Sequence, residues 1–181
     1  MRKILVVVGS GIKGGNTDRL TDAFIRGASE KGHEVYKYFL GDTDIHGCRG
    51  CGACQKNGGK CVIKDIMQDI YMYAKTCDTI VMASPLYFWT FSSQIKAFFD
   101  RLYALSKDNI YPAKDTVMLM TAEDNGEKTF AFPDHYYRFI TEGLGWKNVG
   151  TYYAGGCHGA VSGRFIDEKH LQGAYELGKN L

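Results

Sequence analysis

Proline is nearly missing from this chain, with three residues among 181, and no proline-rich stretch, low-complexity tract or internal repeat interrupts it. That excludes jointed linkers and solenoids, and leaves a length suited to one domain, residues 1–181, with a proper core. An excess of one charge is also missing: the formal net charge is +2, and Lys and Arg are scattered. Nucleic acid and anionic membrane surfaces are recognised by clustered basic residues, so neither is an expected partner. No apolar run approaches the length of a spanning helix, and Ile4 to Val8 is too short for a secretory core and leads into glycines rather than a cleavage site. The expectation is a soluble, cytoplasmic protein. Its 45% hydrophobic and 23% charged residues are those of an ordinary globular domain. In such a compartment the six cysteines are better suited to metal or redox chemistry than to structural disulfides.

What is present is an alternation of two periodicities. Lys3 to Val8 is a β-branched run of the kind buried on both faces of a parallel sheet. Leu20, Ala23, Phe24, Gly27 and Ala28 follow at helical spacing, with charged residues on the opposite side. Further strands are expected at Val35 to Leu40, Thr79 to Ala83, Val117 to Thr121 and Val149 to Ala154. Between and after them lie helices marked by Ile66, Ile70, Tyr73 and Ala74, by Ile95, Phe98, Phe99 and Leu102, by Tyr136 to Leu144, and by Asp167 to Gly178. The pattern predicts an α/β fold, a doubly wound five-stranded parallel sheet with helices on both faces. Ligands of such sheets bind beyond the carboxyl ends of the strands, which directs attention to the loops after strands one, three and four.

The first of these loops is Gly9-Ser10-Gly11-Ile12-Lys13-Gly14-Gly15-Asn16-Thr17. Between a buried strand and a helix, its backbone N–H groups face a common anion site, and Ser10, Asn16 and Thr17 add neutral donors suited to a phosphomonoester. Gly9, Gly11 and Gly14 also match the G-x-G-x-x-G dinucleotide fingerprint. That fingerprint expects an acid about 20 residues on at the end of the second strand, and the strand here ends Tyr38-Phe39-Leu40. The hydroxyl and amide side chains therefore favour FMN over NAD in this loop. A response regulator would share the architecture, but it needs carboxylates where this chain has Gly9 and Ser10.

After strand three comes Ser84-Pro85-Leu86-Tyr87-Phe88-Trp89-Thr90-Phe91-Ser92. Pro85 ends the ladder, and the aromatics offer flat faces to an isoalloxazine ring, or else pack beneath the loop or against a second subunit. The third loop, Thr121-Ala122-Glu123-Asp124-Asn125-Gly126, is a ligand candidate by position, with Ala122 and Glu123 nearest the strand; a solvated turn reads equally well.

Gly9-Ser10 with Gly15-Asn16-Thr17, Ser84-Pro85-Leu86-Tyr87, and Gln94 to Arg101 together resemble the NAD(P)H-dependent FMN reductase family of flavodoxin-like proteins, nearly end to end. The resemblance implies a flavodoxin-like fold and an FMN phosphate held by Ser10, Asn16 and Thr17. It also implies that Pro85, Leu86, Tyr87 and Phe88 lie along the ribityl chain and ring, and that the protein is a homodimer or homotetramer. Ile12-Lys13 stands where the family often has a Pro-Arg pair, so Lys13 is the candidate cationic contact.

Cys48-x2-Cys51-x2-Cys54-x6-Cys61 lies in the one long segment without periodicity, 41–64. Three thiols at such short gaps, with a fourth after a flexible turn, suit a 4Fe-4S cubane better than structural zinc; a reduced loop without metal is the other reading. The arrangement resembles the iron-sulfur flavoprotein branch of the same family. Cys77 reads as a small buried residue, and Cys157-His158 as loop residues rather than a nucleophile and base.

Two functions follow as expectations. In one, NAD(P)H reduces bound FMN, which passes electrons to a small acceptor: a quinone, nitro compound, free flavin, metal ion or oxygen. In the other, ferredoxin delivers electrons through a cluster to FMN. Neither requires a catalytic acid or base from the chain, because the cofactor carries the chemistry.

Overall fold

The computed structural model describes residues 1–108 and 110–181. Its five strands, β1 (Lys3–Val8), β2 (Glu34–Phe39), β3 (Thr79–Pro85), β4 (Asp115–Thr121) and β5 (Lys147–Ala154), form one parallel sheet in the order β2-β1-β3-β4-β5. The helices are α1 (Asn16–Glu30), the single turn α2 (Ala53–Lys56), α3 (Met67–Thr76), α4 (Ser93–Arg101), α5 (Ala131–Gly143) and α6 (Glu168–Lys179), with a 3-10 turn at Leu102–Leu105. This is the flavodoxin-like order. Connections leave β1 in one direction and β3 in the other, so a crevice opens beyond the carboxyl ends of these two neighbours. Among the described residues no helix is long and apolar enough to cross a membrane.

Alternation along the central strands divides the core in two. Leu5, Val7, Ile80, Met82, Met118 and Met120 face one way, packing with Ile70, Phe98 and Tyr137 of α3, α4 and α5. Ile4, Val6, Val8, Val81, Ala83, Val117 and Leu119 face the other, against Leu20, Phe24 and Ala28 of α1 and Ala174 of α6. Strands buried on both faces must be apolar at every position, which is why they read as continuous runs.

On the second face α1 and α6 touch backbone to backbone. A β-carbon added at Gly27 would stand 2.1 Å from the Tyr175 carbonyl oxygen, and one at Gly178 would stand 2.1 Å from that of Phe24. Only glycine fits at this crossing.

The elements differ from expectation chiefly at their polar ends. β4 begins at Asp115 and β5 at Lys147, where the pairs Asp115↔Lys147 and Thr116↔Asn148 extend the ladder through side chains that burial patterns do not register. A bulge then shifts Val117 to face Gly150. Helix α5 begins at Ala131, with Pro133 in the first turn, where a helix needs no N–H donor. The aperiodic segment 41–64 holds one helical turn, α2.

Candidate functional site

A cavity of about 500 Å³ opens at the crevice beyond β1 and β3, a volume suited to a cofactor-sized ligand. Ser10, Asn16 and Thr17 line it from the first loop, Pro85, Leu86 and Tyr87 from the second, and Ala122 and Glu123 from the third. The fold thus brings together eight of the ten residues expected to bind a cofactor. Lys13 is exposed and lies outside the lining, and Phe88 lies in an adjoining hollow.

Backbone hydrogen bonds continue the sheet outward into these loops and hold them. Gly9 N–H donates to Ala83 O at 2.8 Å, Leu86 N–H to Thr121 O at 2.8 Å, Ala122 N–H to Ala154 O at 2.9 Å, and Cys157 N–H to Ala122 O at 2.9 Å. The walls are therefore anchored before any ligand arrives.

Within the first loop, Ser10 Oγ accepts from Ile12 N–H at 3.2 Å, and Thr17 and Thr121 share a buried hydroxyl contact of 2.7 Å. Gly14 N–H is already occupied by the Asp18 carboxylate at 2.8 Å, and Asp18 is paired with Lys37 at 2.6 Å. Asn16 donates through Nδ2 to His158 O at 2.7 Å, while its buried Oδ1 has no partner. An unmatched acceptor is costly unless a ligand donor reaches it, so this loop suits a ligand that carries a hydroxyl or N–H group.

The residue that sequence reasoning missed is Arg164. Beyond β5, His158 and Phe165 pair as a short antiparallel bridge, which curls this segment over the first loop and brings Arg164 into the lining beside Cys157, His158, Gly159 and Ala160. Among the described lining residues Arg164 carries the only permanent positive charge. Its signal in the sequence was weak: glycines 155, 156, 159 and 163 mark a turn-rich segment after the last strand, with no periodicity to place it. His170 of α6 fastens the base of this segment through a 3.0 Å contact with Gly155 O. Burial pushes the Cys157 thiol up to about 11, and its Sγ lies 3.4 Å from Ala154 O, so it is a neutral wall rather than a nucleophile.

The second loop is cinched at its base and strained at its tip. Ser92 N–H donates to the buried Ser84 Oγ at 2.9 Å, and Ser92 Oγ caps α4 by accepting from Ile95 N–H. At the tip, Tyr87 and Thr90 exchange two backbone hydrogen bonds of 3.0 and 3.1 Å, enclosing Phe88 and Trp89 with φ of 46° and 61°. Both central residues of this tight turn are left-handed, a geometry usually given to Asn and Gly. A bulky residue there costs about 1–2 kcal/mol.

The cysteine segment is built differently. Cys48, Cys51, Cys54 and Cys61 are all free; the first two are exposed, and the others are half-buried against the α3–α4 core. Gly50 and Gly52 take the left-handed conformation that lets the chain double back, and Gly50 N–H points at Cys48 Sγ at 3.4 Å. Among the described residues no three His, Cys, Asp or Glu side chains converge as a metal site. The loop therefore offers thiol donors suited to a cluster but no preformed cage.

Its base is fastened by a buried ion pair. Arg101 and Asp65, with side chains 1% and 0% exposed, form a two-pronged contact of 2.7 and 3.0 Å. Arg101 also donates to His46 O at 2.9 Å, while Asp65 accepts from His46 N–H at 2.9 Å and Met67 N–H at 3.1 Å. Burial opposes ionisation of Asp65, but the Arg101 hydrogen bonds, the His46 N–H and the guanidinium charge outweigh it and hold the carboxyl below its usual range.

Known proteins agree with this architecture. The chain is 36% identical over 107 residues to an iron-sulfur flavoprotein of Methanosarcina thermophila, covering 59% of this chain and 56% of that protein. It is 33% identical over 100 residues to one of Archaeoglobus fulgidus, covering 55% and 45%. The chain thus aligns with about half the length of these relatives. Among solved structures, an NAD(P)H:quinone oxidoreductase from Methanothermobacter marburgensis superposes with a TM-score of 0.70 at 20% identity, over 99% of this chain and 96% of that one. An azoreductase from Bacillus anthracis does so with a TM-score of 0.72 at 15% identity, over the whole of both chains. At those identities the likeness is one of fold. The family model described as NADPH-dependent FMN reductase matches residues 2–155, from β1 to the end of β5, and the chain accordingly belongs to that family.

Proposed function

We propose that this chain binds FMN in the cavity beyond β1 and β3 and passes electrons from NAD(P)H to a small acceptor such as a quinone, free flavin, nitro compound or metal ion. One observation carries the reading: a neutral phosphate cradle at the start of α1, faced by Arg164, shares one cavity with the loop Pro85 to Tyr87. FMN, when bound, supplies hydride acceptance and one- or two-electron release. The chain's own part is to hold and orient. Ser10, Thr17 and the first-turn N–H groups of α1 suit the phosphate, with Arg164 supplying its counter-charge. Asn16 Oδ1 suits a ribityl hydroxyl. Leu86 and Tyr87 suit the ring, and Ala122 and Glu123 face it from the opposite loop. The test is titration of flavin-free protein with FMN and with riboflavin, followed by anaerobic bleaching with NADH and NADPH. Tight FMN binding with bleaching by either nucleotide supports the reading; refusal of FMN, or a bound flavin that neither bleaches, ends it.

A second reading rests on the cysteine segment. Four free cysteines at cluster spacing, in a chain similar to proteins named iron-sulfur flavoproteins, support an electron carrier with a 4Fe-4S cluster fed by ferredoxin. The visible spectrum of protein prepared without oxygen separates the two: a broad iron-sulfur shoulder under the flavin bands, with bleaching by reduced ferredoxin but by neither nicotinamide, favours the carrier. A homodimer or homotetramer is part of both readings, and sedimentation tests it.

A further inference from the structure

The cysteine segment is a closed loop, and its closure is made mostly by side chains. His46 and Asp65 stand 19 residues apart in sequence, yet the His46 N–H reaches the Asp65 carboxylate at 2.9 Å. Cys48, Cys51, Cys54 and Cys61 all lie between them, while the other two cysteines, Cys77 and Cys157, are buried elsewhere. One backbone contact, Ile66 N–H to Asp44 O at 3.4 Å, is too long to hold the ends together by itself. Arg101, the last residue of α4, completes the closure by gripping Asp65 twice and the His46 carbonyl once. Both polar groups of the His46 backbone are thereby held, two residues before Cys48. At the other end Gln68 of α3 donates to Cys61 O at 3.2 Å and to Ile63 O at 2.6 Å.

A buried ion pair is a costly way to pin a loop. Two charges are taken out of water, and apolar side chains of similar size would hold α4 against the segment at least as well. Here there is a further cost, because the buried Arg101 Nε has no partner. What a two-pronged contact supplies and an apolar one does not is direction: it fixes His46 against Asp65 in distance and in angle. None of His46, Asp65, Gln68 and Arg101 lines the cofactor cavity, so that precision is delivered to the thiols rather than to the flavin.

The thiols need it unequally. Cys54 and Cys61 are half-buried against the core, whereas Cys48 and Cys51 are exposed and have His46 as the nearest preceding residue fastened to the core. A metal centre that uses all four has to gather the exposed pair. Tethers at 46 and at 61–63 limit how far those thiols stray, which raises their effective concentration around the metal.

We propose that Asp65, Arg101 and Gln68 are positioning residues for iron at the cysteine segment: they contribute no ligand, act through the backbone of His46 and Cys61, and set how tightly the four cysteines retain the metal. This rests on the second reading above, and it adds residues that the cysteine spacing does not reveal.

The test uses FMN-loaded protein prepared without oxygen and challenged with rising concentrations of an iron chelator. Loss of an outer partner of a metal ligand weakens metal binding about ten- to hundredfold, so Arg101→Met lowers by that factor the chelator concentration that strips half the iron. Its affinity for FMN stays within about twofold, because the cavity shares no partner with the clasp. Arg101→Met combined with Asp65→Leu removes both charges and recovers the urea midpoint of the iron-free protein, yet it leaves the His46 N–H without its acceptor, and iron retention stays low. Gln68→Met keeps the helix and the size of the side chain, strands no charge, and lowers retention about three- to tenfold.

Iron retention that recovers together with stability in the double variant overturns the inference, since the pair would then be scaffold alone. Wild-type retention in a folded Gln68→Met does the same. So does a loss of FMN affinity as large as the loss of iron, which would make the clasp a support of the whole domain. Each of these leaves the cluster reading standing; a wild type that carries no iron when prepared without oxygen overturns both.

Discussion

The loops around the cofactor cavity and the cysteine loop sit on the same sheet and are stabilised in opposite ways. The cavity loops are extensions of the ladder: Leu86, Ala122 and Cys157 each donate a backbone hydrogen bond that continues the strand pairing outward. The cysteine loop continues the ladder only as far as Leu40, whose N–H donates to Val8 O at 2.8 Å. It is tied at its base by the side chains of Arg101 and Asp65, steadied by Gln55 on Tyr103 O and by Gln68 on the Cys61 and Ile63 carbonyls, and left open where Cys48 and Cys51 lie. Backbone-built walls tolerate sequence change, because any residue supplies the same N–H and C=O. Walls built from a buried ion pair do not, because losing one partner strands a charge.

That contrast is most sharply broken at Arg101. Arg101→Met leaves Asp65 buried without its counter-ion and costs about 3–5 kcal/mol in urea unfolding, with hydrogen exchange rising first in 44–66 rather than around Arg164. Adding Asp65→Asn recovers part of the loss, since the stranded charge is gone. Equal exchange in both regions would mean that the pair supports the whole domain rather than one loop. The same pair sets an acid dependence. Because the folded carboxyl titrates below its unfolded value, its contribution is full above about pH 4 and is lost as pH falls through the folded value. Asp65→Asn therefore flattens the acid limb of the stability curve.

Next in size is Arg164→Ala. Losing a charge-assisted contact costs about 1.5–3 kcal/mol, so FMN binds about ten- to a hundredfold more weakly while riboflavin, which has no phosphate, is unaffected. Equal weakening of both flavins would place Arg164 against the ring or ribityl chain. Thr17→Val, which breaks the buried hydroxyl contact with Thr121, weakens FMN by about 1 kcal/mol in the same titration. The smallest effect is expected for Lys13→Ala, below about 0.5 kcal/mol, because this side chain is exposed outside the lining. A tenfold loss there would show that Lys13 swings in to reach the phosphate.

The residues differ in how plainly the sequence announced them. Strands such as Ile4 to Val8 and Ile80 to Ala83 were legible because burial on both faces forces an unbroken apolar run. That Ser10, Asn16 and Thr17 would border the crevice was legible because the loop after the first strand of such a sheet lies at the carboxyl end of that strand. Arg164 was not, since its place depends on the His158–Phe165 bridge, a pairing between loop residues with no periodicity. Arg101 was hidden for another reason: a cation in the last turn of an amphipathic helix ordinarily faces water, and only the tertiary position of Asp65 reveals it as buried. The left-handed Phe88 and Trp89 were illegible because their residue types argue against the backbone they adopt.

The contact of Gly27 with α6 has a consequence for how this protein can change. With no side chain between the two helix axes, the spacing there has no adjustable part, and even one methyl group at Gly27 or Gly178 must displace a whole helix. Since α1 begins at the edge of the cavity beyond β1, such a shift is delivered to that cavity as a rigid lever would deliver it. Variation in ligand preference is thereby steered away from the helical scaffold and into the loop tips, the only parts free to be retuned one residue at a time.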